Sequence, residues 1–252
     1  MNETEHILER MMVLARECGE RMKNAETLNV EKKKKNDYVT DMDKGIQETL
    51  ISSLKETVDS AFFIAEEKEN AELTDGEGFI IDPIDGTNNF INGFPVCAVC
   101  IAYVKDKEIL CSVVYNPYMD EMFHAIKGNG SYLNGRRLHM ERRDLESSLI
   151  LVEDSWNAHK EVIYSHAVGY RCIGSGELAI CFTACGRAAG FISKPIHIWD
   201  YAAGKLILNE AGGVLVQKDG KDAELIEPNS VIACHKEDRE LFLAIRQEAE
   251  RN

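Results

Sequence analysis

The sequence predicts an α/β fold in which helices and sheets alternate in layers. Near the N-terminus, apolar residues recur every three or four positions in two stretches, a spacing typical of amphipathic helices. Elsewhere, short apolar runs rich in β-branched residues stand between glycines, prolines or charged turns, a pattern typical of strands. In 252 residues such elements can enclose a large core, either as one domain or as two packed halves.

Composition and charge narrow the class of protein. The chain is 44% hydrophobic and 29% charged, which is ordinary for a soluble globular protein. Its net charge of −14 argues against a general nucleic-acid binder, which would carry a basic stripe. An acidic chain that handles phosphate must cancel its own field locally, and bound metal ions commonly do so.

The expected location is the cytoplasm. The longest apolar run is only a handful of residues, so we expect no membrane span. The N-terminal stretch MNETEHILERMM is acidic where a signal peptide would be basic and then apolar. The eight cysteines are therefore expected to be reduced and mostly buried. Cys97 and Cys100 have the spacing of half a zinc site, but no second pair follows and their run, VCAVCIAYV, resembles a strand.

The first elements are two helices joined by a basic segment. Residues 2–25 are predicted to form an amphipathic helix. Lys32 to Lys35 are predicted to lie in a loop, where they are either a solvated surface or the source of one lysine for an anion. Thr40 and Asp43 have the spacing of a capping box for a second helix, whose apolar stripe runs from Ile46 to Val58.

The residues with the clearest chemistry follow two predicted strands. Ala61 to Ala65 form a short strand that leads directly into Glu66. The stretch GFIIDPIDGTNNFINGF, residues 78–94, then begins with a buried strand. Asp82 ends that strand, and Pro83 holds it in an extended conformation, so its carboxylate has a fixed direction.

Asp82 and Asp85 share a stiff turn that continues through Gly86 to Thr87, where a short helix is predicted. Two carboxylates beside backbone N–H groups and a hydroxyl can hold a divalent cation and a phosphate together. A bare D-P-x-D could equally be two aspartates that cap a turn. The full D-P-I-D-G-T after an apolar strand is more specific for a metal and phosphate site.

Antiparallel strands are expected next, followed by a return to α/β structure. The polar stretch from Arg142 to Ser147 marks the boundary between an α+β half (1–145) with most metal ligands and an α/β half (146–252). Strands are predicted at residues 96–104, 108–115, 121–126, 149–152, 170–173, 189–192, 214–216 and 231–233. Helices of the second half are predicted to open at Gly174-Ser175-Gly176, Tyr201 and Asp238.

Each remaining acidic candidate has a simpler explanation when it is taken alone. Glu66 suits a solvated loop, Asp43 a helix cap, and Asp200 a helix N-cap. All three nevertheless adjoin the ends of predicted elements, which is where α/β folds build their sites. Their combination with the D-P-I-D turn is what indicates a site.

Four motifs, in this order, resemble those of the inositol monophosphatase family, Mg²⁺-dependent, lithium-sensitive phosphatases related to fructose-1,6-bisphosphatase. The resemblance spans nearly the whole chain. Its motifs are Val39-Thr40-x-x-Asp43, Ala65-Glu66-Glu67, Ile81-Asp82-Pro83-Ile84-Asp85-Gly86-Thr87, and Trp199-Asp200-Tyr201-Ala202-Ala203-Gly204 with Glu210-Ala211-Gly212-Gly213. The resemblance implies an αβαβα sandwich and a homodimer.

The resemblance also implies roles for individual residues. The ligands of two or three Mg²⁺ ions would be Glu66, Asp82, the carbonyl group of Ile84, Asp85 and Asp200. Asp43 and Thr87 would orient and deprotonate the attacking water, and Glu66 would join them in the catalytic set. Phosphate and substrate would be held by Lys32, Gly86, Thr87, Gly174, Ser175, Gly176 and Ser193.

Elementary chemistry agrees with those roles. Phosphate monoesters hydrolyse so slowly that an enzyme must supply about 20 kcal/mol or more of transition-state stabilisation. Two adjacent metal ions can neutralise the phosphoryl charge and activate water, and hard oxygen ligands select Mg²⁺. No serine or cysteine nucleophile is required. Ser175 lacks the G-x-S-x-G form, and no partner histidine is evident near it in the sequence.

Departures from the family pattern concern the substrate. Ser193 stands where inositol-selective members commonly carry a glutamate, and Glu177 stands where the family usually has alanine. We expect both residues in the part of the site that holds the alcohol. Lys194 would suit a second anionic group, or it lies on the surface.

The predicted activity is Mg²⁺-dependent hydrolysis of a small polyol or sugar phosphate, of the inositol monophosphatase type. Alternatives with the same chemistry are fructose-1,6-bisphosphatase, histidinol phosphatase and a phosphatase of 3′-phosphoadenosine nucleotides. A different class is a protein that acts mainly by binding another macromolecule. Clustered carboxylates, which repel one another without metal, argue against a pure scaffold.

Overall fold

Two N-terminal helices form the first layer of the fold. The structure, a computed structural model, describes residues 2–34, 37–67, 72–153, 159–226 and 228–251. The helices are α1 (Glu3–Lys23) and α2 (Asp41–Thr57), and each buries one apolar stripe. Both begin with a capping box, and in α2 the box is formed by Thr40 and Asp43 as predicted. The position of Asp43 is therefore set by the start of its helix.

A sheet of seven strands forms the second layer. In sheet order, its strands are β3 (Phe62–Ala65), β4 (Glu77–Asp85), β5 (Ala98–Lys105), β6 (Glu108–Asn116), β7 (Glu121–Ile126), β8 (Gly130–Leu133) and β9 (Arg136–Arg137). β4 is parallel to β3 and antiparallel to β5. Alternation along β4 turns Phe79 and Ile81 towards α1 and α2, and Ile80 towards the opposite face.

Two helices and a second sheet complete the layers on that opposite face. The helices are α5 (Gly176–Ala184) and α6 (Ala202–Ala211). The five strands, in sheet order, are β11 (Gly169–Arg171), β10 (Leu149–Val152), β12 (Gly190–Ile196), β14 (Asn229–His235) and β13 (Gly213–Gln217). One apolar cluster joins both sheets to α5 and α6. The far face of the second sheet packs on α4 (Lys160–His166) and α7 (Arg239–Arg251), so the predicted αβαβα layering is confirmed.

The basic segment differs from the prediction. Lys32 does not lie in a loop but in β1 (Val30–Lys34), which pairs with β2 (Asp37–Thr40) in a two-stranded ribbon. Every residue of β1 is exposed when backbone and side chain are taken together, so no apolar alternation marks it as a strand. Lys35, the last lysine of the run, is outside the described residues.

The alternative of a zinc site at the two close cysteines is not supported. Cys97 belongs to the apolar cluster under α1 and α2, whereas Cys100 belongs to the cluster on the other face of the sheet. Their sulfur atoms therefore cannot share an ion, and burial raises the pKa of both thiols. Within the described ranges, no helix combines the length and the apolar character needed to cross a bilayer.

Candidate active site

Three aspartates from distant parts of the chain meet at one point. Carboxylate oxygens of Asp82, Asp85 and Asp200 all lie within 4.8 Å of one another. Asp82 and Asp85 come from the end of β4, where the pairing with β5 is interrupted between them. Pro83, which has no N–H group for the ladder, accounts for that irregularity. Asp200 arrives from the short 3₁₀ turn that precedes α6.

Hydrogen bonds hold each carboxylate in place. Asp82 Oδ1 accepts from the N–H of Ile84 over 3.0 Å, and Asp200 Oδ2 accepts from the N–H of His197 over 2.7 Å. Asp85 is bound by the start of α5. Its oxygens accept from Ser175 Oγ at 2.5 Å and from the N–H groups of Gly176 and Glu177 at 3.1 and 2.9 Å.

The electrostatic state of this cluster favours a cation. Burial raises the pKa of all three aspartates, and repulsion from neighbouring carboxylates raises those of Asp82 and Asp200 further. The hydrogen bonds to Asp85 oppose the effect of its burial, and its pKa is raised to about 6. A divalent cation would relieve both the desolvation and the repulsion, so the donor set fits a hard metal ion.

Glu66, the fourth acidic candidate, lies just after β3 beside a lysine. Lys33 Nζ is 3.2 Å from Glu66 Oε1 and 2.5 Å from Glu67 Oε1. Burial raises the pKa of Glu66 to about 7, and the charge of Lys33 opposes that increase. The lysine that reaches the acidic site is therefore Lys33, whereas Lys32, the predicted residue, is exposed on β1.

Asp43 is connected to the turn after β4 by Thr87. Thr87 Oγ1 lies 3.1 Å from Asp43 Oδ1 and equally far from the carbonyl oxygen of Ile84. The other oxygen of Asp43 accepts from the N–H of Thr40 over 2.7 Å and from the Thr40 hydroxyl. Burial raises the pKa of Asp43, while these hydrogen bonds lower it. The pairing of Asp43 with Thr87 that the resemblance implies is present in the structure.

The loop after the aspartates brings the two halves of the chain into backbone contact. Gly86 has φ 92° and precedes α3 (Thr87–Ile91), whose first N–H groups have no acceptor within the helix. A Cβ atom at Gly86 would lie 2.9 Å from the carbonyl oxygen of Val96 and 3.1 Å from that of Gly174. Asn89 secures the same junction, because its Nδ2 donates to the carbonyl groups of Val96 and Ile173, each over 2.7 Å.

These groups surround a cavity of about 360 Å³. It is lined by Tyr38, Glu66, Asp82, Ile84, Asp85, Gly86, Thr87, Asn88, Val152, Glu153, Cys172, Ile173, Gly174, Ser175, Gly176, Ala179, Phe191 and Asp200. The structure thus brings most of the predicted site residues together. The sequence pointed to one lysine of the run from Lys32 to Lys35, but the resemblance selected Lys32 instead of Lys33, since an exposed ribbon leaves no periodic signal for its register. Asn89 was missed because one asparagine in a five-residue helix leaves no periodic signal.

Two residues expected near the alcohol lie elsewhere. Ser193 is fully buried in β12, where its Oγ accepts from the N–H of Val231 over 2.8 Å. It is not one of the described residues that line the cavity. Glu177 is also fully buried, and its carboxylate faces the start of α6. Lys194 is exposed, and it is not one of the described residues that line the cavity.

Comparisons with known proteins agree with the fold and the motifs. The model of the inositol monophosphatase family matches residues 3–251. Inositol monophosphatase 1 of Sus scrofa is 36% identical over 244 residues, which cover 89% of this chain and 88% of that relative. The IMPase of Thermotoga maritima superposes with a TM-score of 0.91 at 28% identity, covering 97% of this chain and 98% of that one.

A second solved structure gives the same result. The extragenic suppressor protein suhB of Bartonella henselae has a TM-score of 0.88 and 30% identity, with coverage of 95% of this chain and 98% of that one. Sequence, family motifs and layered architecture therefore agree over almost the entire length. The chain belongs to the inositol monophosphatase family, a family of phosphoric monoester hydrolases.

Proposed function

We propose that the protein hydrolyses a small polyol or sugar phosphate monoester, with Mg²⁺ as cofactor, in the manner of an inositol monophosphatase. One observation supports this above all others. Asp82, Asp85, Asp200 and Glu66 line one cavity that also contains the start of α3 and the hydroxyl-bearing Thr87. The cavity thus offers carboxylates for a metal ion and N–H groups for a phosphate side by side.

Mg²⁺ fits the donor set because every candidate ligand atom is oxygen. The ligands would be Glu66, Asp82, the carbonyl group of Ile84, Asp85 and Asp200, for two or three ions as the family resemblance implies. When bound, such ions neutralise the phosphoryl charge and lower the pKa of water. The positive charge of such ions would also lower the raised pKa values of the aspartates, so that the carboxylates are ionised.

The chain's own residues provide the proton acceptor. The single proton of the Thr87 hydroxyl has two acceptors at 3.1 Å, Asp43 Oδ1 and the carbonyl oxygen of Ile84. When the hydroxyl donates to Asp43, its lone pairs can accept a hydrogen bond from a water molecule. As that water loses a proton to Thr87 Oγ1, the threonine proton can move to Asp43 Oδ1. Burial raises the pKa of Asp43 and makes it a better acceptor than an exposed aspartate.

The cavity favours a substrate of monosaccharide size with one phosphate. Its volume of about 360 Å³ suits a ring of that size, and Glu153 and Tyr38 offer polar groups to hydroxyls at its wall. Lys194, the residue considered for a second phosphate, is not among the described residues that line the cavity. Lys194 therefore gives no support to a bisphosphate substrate.

The cytoplasmic location remains a prediction from the sequence. Two further expectations, a homodimeric state and inhibition by Li⁺, follow from family membership alone. The first can be checked by analytical ultracentrifugation, and the second by measuring turnover at increasing LiCl concentration against a NaCl control.

The function can be tested by phosphate release from a panel of sugar, inositol, histidinol and nucleotide phosphates, with and without Mg²⁺. Wild type and Asp59→Asn, which removes an exposed charge after α2, should both release phosphate only with Mg²⁺. Asp82→Asn should remain folded and lose nearly all turnover. Full activity in Asp82→Asn would overturn the metal assignment. A folded wild type that hydrolyses nothing would instead favour a macromolecular binding role.

A further inference from the structure

Glu177 is a fully buried carboxylate that does not face the cavity. It lies in the first turn of α5, and its two oxygens accept hydrogen bonds from the beginning of α6. Oε1 accepts from the N–H of Ala203 over 2.9 Å, and Oε2 from the N–H of Gly204 over 2.5 Å. These N–H groups lack acceptors within α6, and Tyr201, the residue at its N-cap, makes no side-chain capping bond.

The backbone of the same residue is hydrogen-bonded to the aspartate cluster. The N–H of Glu177 donates to Asp85 Oδ2, and that of Gly176 donates to Asp85 Oδ1. Asp200 lies two positions before α6 begins. Glu177 therefore connects the helix that holds Asp85 to the helix that follows Asp200.

Two glycines allow this connection to be short. A Cβ atom at Gly204 would lie 2.5 Å from Glu177 Oε2, and one at Gly176 would lie 2.9 Å from the carbonyl oxygen of Asp200. Both distances are too small for a real side chain, so glycine at these two positions lets Glu177 reach the start of α6 and lets α5 begin against the backbone of Asp200. A small rotation of either helix would move Asp85 relative to Asp200.

We propose that Glu177 is a positioning residue for the metal site. It fixes the separation of Asp85 and Asp200 and thereby sets the affinity for the divalent cation. The inference rests on the proposed function, since it takes both aspartates as metal ligands. A simple helix cap would not require a buried acid beside other acids, because serine or asparagine at the N-cap does the same without the desolvation cost of a carboxylate.

The experiment measures Mn²⁺ binding by electron paramagnetic resonance, together with thermal unfolding of the metal-free protein. The variants are Glu177→Gln, which keeps the volume but can accept at only one of its two terminal atoms, and Gly204→Ala, which displaces the carboxylate from the other side. The control is Glu210→Gln. Glu210 lies near the other end of α6, and its oxygens accept from the N–H groups of Gly128 and Gly130 at 2.7 and 2.8 Å.

We expect Glu177→Gln and Gly204→Ala to bind Mn²⁺ about 10-fold more weakly, the range found when partners of metal ligands are changed. The Mg²⁺ concentration for half-maximal activity should rise by the same factor, while KM for the phosphate ester at saturating Mg²⁺ changes little. Glu210→Gln should lower the unfolding temperature without changing Mn²⁺ affinity.

The possible failures can be told apart. If wild type binds Mn²⁺ and both variants bind it within twofold of wild type, Glu177 only caps a helix and this inference is wrong. The same conclusion follows if Glu210→Gln weakens Mn²⁺ binding as much as the other two. If wild type itself binds no Mn²⁺, the proposed function fails and the positioning role fails with it. If Glu177→Gln does not fold, Gly204→Ala alone decides between these outcomes.

Discussion

Thr87 Oγ1 lies 3.1 Å from Asp43 Oδ1, although 44 positions separate the two residues in the chain. Asp43 cannot rotate away from this contact, because its other oxygen is held by the backbone and hydroxyl of Thr40 at the start of α2. The residues that cap α2 thus also support the proposed catalytic pair of Asp43 and Thr87. The orientation of the proton acceptor is set by folding, before a substrate arrives.

This relationship predicts the behaviour of substitutions at Thr87. Thr87→Ser keeps the hydroxyl and should retain substantial activity, whereas Thr87→Val removes it at nearly constant volume. We expect Thr87→Val to lower kcat by about 10²- to 10⁴-fold, the usual contribution of general base catalysis. Thr57→Val, which removes a hydroxyl bound to the carbonyl group of Ser53 in α2, is the matched control and should be fully active. Equal kcat for Thr87→Val and wild type would exclude Thr87 from proton transfer.

The contact of Lys33 with Glu66 predicts a shift in pH dependence. The Lys33 charge lowers the pKa of Glu66, so Lys33→Gln should raise that pKa above its value of about 7. Metal binding requires the ionised carboxylate. In a plot of Mn²⁺ affinity against pH, the acid limb, where affinity falls as pH is lowered, should therefore move to higher pH. Lys32→Gln removes the same charge from the same strand and should leave the limb in place. Identical profiles for the two variants would contradict the assignment of Lys33.

The raised carboxylate pKa values also predict how stability depends on pH without metal. Asp85 and Glu66 have pKa values of about 6 and 7 in the folded protein, above their usual 3.8 and 4.5. Between about pH 4 and 7 the folded state therefore binds more protons than the unfolded state. The free energy of unfolding of the metal-free protein should fall as pH rises through this window.

Stabilisation by Mg²⁺ should increase as pH rises, because the ion competes with protons for the same carboxylates. The increase in unfolding temperature on adding Mg²⁺ should be small at pH 5 and large at pH 7.5, as measured by scanning calorimetry. NaCl at matched ionic strength controls for general screening. A Mg²⁺ effect of equal size at both pH values would show that the metal does not displace protons from this cluster.

The position of Ser193 predicts a change in stability rather than in specificity. Ser193→Ala leaves the buried N–H of Val231 without its acceptor and should lower the free energy of unfolding by about 1–3 kcal/mol. The ranking of phosphate substrates should not change. Ser52→Ala, on the exposed side of α2, should alter neither property. An altered ranking in folded Ser193→Ala would return this residue to the substrate pocket.

Much of the candidate site could be predicted because its residues lie in local patterns with clear physical meaning. The apolar strand before Asp82, the proline behind it and the capping box around Asp43 each constrain the backbone over a few residues. The meeting of Asp200 with the other aspartates depends on layers far apart in the chain. The position of Asp200 at the start of a predicted helix suggested that it shares a site with the other aspartates, and the resemblance to a family added its role as a metal ligand.

The parts that could not be predicted lack such local signals. β1 is exposed along its whole length, and α4 is a helix of seven residues with only Val162 and Ile163 buried, too short for a visible stripe. Ser193 lies where the register of β12 against β14 shifts, so strand alternation does not tell which way its side chain points. Glu177 binds the start of α6, a contact between distant segments that no local pattern around it reveals.

The contact at Gly86 has a consequence for how this protein can diversify. Two main-chain carbonyl oxygens lie where a side chain at residue 86 would begin, so the lining of the cavity at Gly86 is set by contacts of backbone with backbone. Substitution at this position cannot adjust the cavity gradually, since even a methyl group would push the two loops apart. Substrate preference can change more easily at lining residues such as Glu153 and Cys172, whose side chains can be replaced without moving this junction.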